Sequence, residues 1–181
     1  MRSIGQQRRR LLCEKNLLHR YVRGVQFVER PEDVCIDAWY PPRHSPTRFH
    51  GRIVLTPDYP HCAPELYVVE PRPLRMYRST ETLGSNGSSG EFYILGSSEE
   101  GCRICFANNW DSSWSCVKVF MKFALWVEAY DEYLKTGKTV AELVTELQRG
   151  DAGAQMLKRF ARQHDERRVS FDSGKPAVLY P

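Results

Sequence analysis

A loop cysteine can carry an acyl group as a thioester if its thiol is accessible, has some thiolate character and faces donors that stabilise a tetrahedral oxyanion. The stretch Gly101-Cys102-Arg103-Ile104-Cys105-Phe106 offers such a thiol at Cys105. Arg103 precedes it closely, and a nearby cation favours the thiolate. Asn108 and Asn109 follow as amide donors for an oxyanion. Asp111 and Asp131 are carboxylates able to orient or deprotonate an incoming amine. His61 joins this group if the turn from Asp58 to Pro64 packs against the cysteine loop. The plainer alternative makes Cys105 a small hydrophobe buried at a strand end.

The other thiols narrow the chemistry. Cys13, Cys35, Cys62, Cys102 and Cys116 complete a set of six. The N-terminus lacks the apolar stretch of a secretory signal, so free thiols in a reducing cytoplasm are expected. Cys102 and Cys105 form a C-x-x-C pair, but a structural zinc site needs four ligands and the sequence holds no second pair. Neither metal nor cofactor is expected. No apolar run approaches the roughly 18 residues of a membrane span.

Charge is modest overall, +4, but concentrated at the N-terminus. Arg2, Arg8, Arg9, Arg10, Lys15, Arg20, Arg23 and Arg30 face only Glu14 and Glu29 across that segment. Arg8, Arg9, Arg10 and Lys15 are the residues expected to meet an acidic protein partner; a solvated helix face is the bland alternative. Aromatic residues are not interleaved with these arginines, so nucleic acid is not the expected partner.

Several elements must position these groups. Leu11, Leu12, Leu18, Tyr21 and Val22 give a helix over 6–22, ended by Gly24. Strands are expected at 25–28, 34–40, 48–56 and 66–69, separated by turns that favour an antiparallel meander. Phe49, Gly51, Ile53 and Leu55 should share one face. Residues 74–100, centred on Gly84-Ser85-Asn86-Gly87-Ser88-Ser89-Gly90, read as a long flexible loop, with Glu91 to Leu95 as an ordered piece within it. An amphipathic helix over 115–135 ends at Gly137, and a second runs over 140–149 after Thr139 as cap. A third helix is expected at 151–168, then an irregular tail.

Three motifs occur in order: Tyr59-Pro60-His61-Cys62-Ala63-Pro64, then Gly101 to Phe106, then Trp114-Ser115-Cys116. They resemble the Tyr-Pro-x-x-Pro-Pro, Gly-x-Ile-Cys-Leu and Trp-Ser-Pro motifs of the ubiquitin-conjugating enzyme family. Ala63 replaces one proline, one residue is added after Gly101, and Trp114-Ser115-Cys116 lies one residue further on than its counterpart. The resemblance covers roughly residues 6–137. It implies an α+β UBC-like fold: an N-terminal helix, a four-stranded antiparallel meander, a long active-site loop and C-terminal helices. The expected division is a catalytic domain at 1–137 and a helical extension at 138–181.

By the same resemblance, Cys105 is the thioester-forming cysteine. Tyr59, Pro60 and Pro64 form the turn that braces the sheet, and Trp114 anchors the next helix. An adenylating activating enzyme docks on the N-terminal helix, and the cargo is a ubiquitin-like modifier. The family's His-Pro-Asn before the cysteine is missing, since the interval reads Leu95-Gly96-Ser97-Ser98-Glu99-Glu100. Asn108 or Asn109 is the expected substitute for its asparagine. That departure, and the run from Leu125 to Gly137, resemble the bacterial branch that accompanies antiphage operons, including CBASS and ubiquitin-like conjugation systems. A non-catalytic protein-binding module on the same scaffold is the competing expectation.

Overall fold

The computed structural model describes residues 4–85 and 87–149; the helix expected at 151–168 and the tail lie outside the described residues. Helix α1 (Ile4–Tyr21) presents Leu18 and the following Val22 inward and Arg8, Arg9 and Arg20 outward. Gly24, at φ 65°, takes the left-handed conformation that ends a helix without a side-chain clash. Strands β1 (Gln26–Glu29), β2 (Val34–Tyr40), β3 (Phe49–Leu55) and β4 (Glu65–Glu70) then form the expected antiparallel meander.

The sheet does not stop there. The end of the stretch expected to be loop, from within its ordered piece, and the residues after it form a hairpin, β5 (Ile94–Ser98) and β6 (Gly101–Ile104), and β6 pairs with β4. The sheet therefore has six strands, in the order β1-β2-β3-β4-β6-β5, rather than four. Ile94, Cys102 and Ile104 are all buried, which drives the hairpin onto the core. Gly101 turns it at φ 143°, and a Cβ there would lie 2.3 Å from the Val68 carbonyl oxygen. Only glycine lets β6 approach β4 this closely.

Helix α2 (Cys116–Thr136) lies across the inner face of the sheet. Val119, Phe123, Val127 and Tyr130 recur at helical spacing and meet Ile36, Ala38, Phe49, Ile53, Leu66 and Val68. Phe49, Gly51, Ile53 and Leu55 do share the core face. The Phe123 ring fills the space above Gly51, where a Cβ would sit 2.7 Å from it. Gly137 closes α2 at φ 78°, donating its N–H to the Tyr133 carbonyl.

Helix α3 (Val140–Arg149) starts with a capping box. The Glu142 carboxylate accepts from the Thr139 N–H at 2.9 Å, and Thr139 Oγ1 accepts from the Glu142 N–H at 3.3 Å. Val140 and Leu143 join the main core, and the Ala141 N–H donates to the Glu91 carbonyl at 2.9 Å. So α3, beyond the stretch covered by the resemblance, packs into the same core. The outer sheet face combines a small apolar cluster, Cys35, Val54, Tyr67 and Val69, with ion pairs: Arg52 bridges Asp37 and Glu100, and Arg30 also binds Glu100. No helix of the described residues is long and apolar enough to cross a membrane.

Candidate active site at Cys105

The platform for the cysteine loop is a buried carboxylate. Glu14 is 1% exposed, on the inward side of α1. Its Oε1 accepts from Arg10 Nε at 2.7 Å and from the Tyr59 hydroxyl at 2.6 Å. Its Oε2 accepts from the Cys116 N–H, the first residue of α2, at 2.8 Å. The Ser115 side chain makes no capping bond, so Glu14 caps α2 from another helix. An anion at a helix N-terminus satisfies both an orphan N–H and the helix dipole. Arg10 continues the knot, binding the Tyr59 hydroxyl, the Ser112 carbonyl and the Trp114 carbonyl. One point thus ties α1, the turn after β3, the loop after Cys105 and the start of α2.

Aromatic rings brace the loop itself. Trp110 Nε1 donates to the Pro60 carbonyl at 2.6 Å, so the turn expected to brace the sheet does touch the cysteine loop. Phe106, Trp110 and Trp114 pack edge to face in sequence. On the other side, Trp126 Nε1 donates to the Phe92 carbonyl and the Cys105 N–H donates to the Tyr93 carbonyl at 2.7 Å. Tyr93 sits at φ 52°, a left-handed conformation that side chains seldom adopt. The backbone at Cys105 is therefore held from both sides.

Cys105 lines a cleft of about 410 Å³. Asn108, Asn109, Lys122 and Gln148 supply its polar side chains, and Trp114, Trp126 and Val144 are among its apolar walls. Cys105 is partly exposed, and its Sγ makes one weak contact, 3.8 Å from the Ala107 carbonyl. The other thiols differ. Cys35, Cys102 and Cys116 are buried, while Cys13 and Cys62 are exposed and line no cleft with it. Burial, then the Asp33 carboxylate, pushes the Cys35 thiol up to about 12. Burial raises Cys102 and Cys116 as well, Cys116 with help from the Glu14 charge. Those three are held as neutral thiols.

The expected residues divide. Cys105, Asn108 and Asn109 come together in the cleft. Asp111 does not line it; its Oδ1 accepts the Ser113 N–H at 2.8 Å, which holds its carboxyl below the usual range. Asp131 is buried on α2 and paired with Lys135 at 2.6 Å. Arg103 pairs with Glu65 at 3.0 Å, and exposed His61 stays in its own turn. On α1, Arg8 and Arg9 are exposed, whereas Arg10 is committed to the Glu14 knot and Lys15 pairs with Glu29 at 2.9 Å. Cys102 and Cys105 line different cavities, and no metal-like cluster of three or more His, Cys, Asp or Glu residues exists among the described residues.

Sequence reasoning missed Lys122, Gln148 and Glu14. Lys122 had a signal: it follows Lys118 at i+4 on α2, and Lys118 lies 3.3 Å from the centre of the Trp114 ring. Glu14 had one too, as the carboxylate i+4 from Arg10 and four residues before buried Leu18. Fold and site together define an α+β protein with a thiol cleft between the edge of an antiparallel sheet and two helices. Comparison with family models, curated proteins and solved structures finds no match for the chain.

Proposed function

We propose that this chain is a cysteine acyl carrier of the ubiquitin-conjugating type, with Cys105 as the carrier. One observation bears most of the weight: Cys105 is partly exposed and lines a cleft with amide donors, whereas Cys35, Cys102 and Cys116 are buried and Cys13 and Cys62 do not line that cleft. The Cys105 thiolate attacks the thioester carbonyl of a modifier held by an activating enzyme. A new C–S bond forms, the old one breaks, and that enzyme's thiolate leaves and takes up a proton. An amine then attacks the Cys105 thioester, releasing the Cys105 thiolate and losing a proton to water. Asn108 and Asn109 donate to the oxyanion formed in each step. The rate rests mainly on positioning, because thioesters already react with amines.

The exposed Arg8 and Arg9 on α1 are the proposed contacts for the activating enzyme, with Arg10 holding the helix in place. Setting and cargo follow from the resemblance: a ubiquitin-like modifier, a bacterial antiphage operon of CBASS or related type, and the cytoplasm. The test is a non-reducing gel after incubation with modifier, activating enzyme and ATP. A thiol-sensitive adduct that Cys105→Ala loses and that separate Cys102→Ala and Cys116→Ala variants keep is the expected result. A second reading, a binding module with an inert thiol, draws on Leu12, which is 59% exposed between the α1 arginines. It predicts an unchanged band for the wild type and for Cys105→Ala.

A further inference from the structure

The cleft carries a charge that the thiol chemistry above does not use. Lys122 is the only charged side chain in its lining. It has no ion-pair or hydrogen-bond partner among the described residues, although most other lysines of the fold do. Lys118, one turn earlier, stacks on Trp114 and acts on the Asp111 carboxylate, so its charge is partly balanced. Lys122 thus lines the same cleft as Cys105 with no described residue answering its charge. Around it stand Asn108, Asn109 and Gln148, whose amides can both donate and accept, as the backbone of an extended peptide requires. Trp114, Trp126, Leu125 and Val144 supply apolar walls.

We propose that Lys122 is a specificity-determining residue that selects acyl donors carrying a carboxylate close to the reacting carbon. The donor is an extended chain end with an acidic side chain beside the group that joins Cys105. This rests on the thioester reading of Cys105 and adds a charge requirement to it. A carboxylate inside the cleft gains a cation that no described residue pairs with, and a neutral or basic chain end does not.

Small electrophiles test this without the natural cargo. Iodoacetate and iodoacetamide both alkylate a thiol: the S–C bond forms, iodide leaves, and the thiol proton passes to buffer. They differ in charge. The rate ratio, iodoacetate over iodoacetamide, is measured at Cys105 by mass spectrometry and divided by the same ratio at exposed Cys62 in the same molecule. For the wild type the quotient should favour iodoacetate by roughly tenfold at low salt. It should fall as ionic strength rises. Lys122→Gln should bring Cys105 level with Cys62, and Lys122→Arg should preserve the preference. Equal quotients in wild type and Lys122→Gln, or a wild-type quotient indifferent to salt, overturn the proposal. The two claims fail separately. A lost charge preference overturns the role of Lys122 while a gel adduct stays intact, and a missing adduct with the preference present sinks the thioester reading and leaves Lys122 selecting for charge alone.

Discussion

Two regions flank the start of α2, and they are built on opposite terms. Around Glu14, a carboxylate sealed from water accepts three hydrogen bonds from three different segments. Around Cys105, the thiol has one weak contact and Lys122 has no partner among the described residues. The first region saturates its polar groups and fixes geometry. The second leaves the Cys105 thiol and the Lys122 ammonium without a strong partner among the described residues, inside that fixed geometry. The saturated knot and the open cleft thus lie on either side of one helix start, although Glu14 and Cys105 are far apart in the chain.

The sharpest way to break this contrast is at Glu14. Glu14→Ala strips Arg10, Tyr59 and the Cys116 N–H of their shared acceptor, so the loss should be about 3–5 kcal/mol in urea unfolding. Gly101→Ala should cost less, about 2–3 kcal/mol, by forcing a side chain against the Val68 carbonyl in an unfavourable conformation. At the cleft, Cys105→Ser should move stability by no more than about 1 kcal/mol while abolishing the thiol-sensitive adduct. Native protein should titrate three thiols with a disulfide reagent, Cys13, Cys62 and Cys105, and six after unfolding.

The smallest effect belongs to the outer sheet face. Hydrogen bonds from Arg30 and then Arg52 hold the Glu100 carboxyl down to about 2. A folded-state value below the unfolded one means that stability is present above about pH 4.3 and drains away as pH falls toward 2. Because Glu100 is about one-third exposed, screening limits the contribution to about 1 kcal/mol or less. Comparing acid unfolding of wild type and Glu100→Gln checks it: the two curves should converge at the acid end.

Much of the scaffold could be read from periodicity. The strand over 34–40 and the helix over 140–149 fall where the pattern puts them, and Gly137 ends α2 as its conformational freedom suggests. The β5–β6 hairpin was hidden because Gly96, Ser97, Ser98 and Gly101 interrupt it, and its buried apolar residues, Ile94, Cys102 and Ile104, are too sparse to show alternation. At the site, Cys105, Asn108 and Asn109 were legible because they are close in sequence. Lys122 and Gln148 were not, since they reach the cleft from α2 and α3 through tertiary packing. Arg103 and Asp111 misled for the converse reason: both lie near Cys105 in the chain, yet each is bonded elsewhere.

The Cys116 N–H has a further use. The first amides of a helix ordinarily trade their protons with water within moments, since nothing inside the helix covers them. This one points into a carboxylate that belongs to a different helix. Its deuterium uptake therefore times the departure of α1 from the body of the protein, a clock for one helix read at the first residue of another.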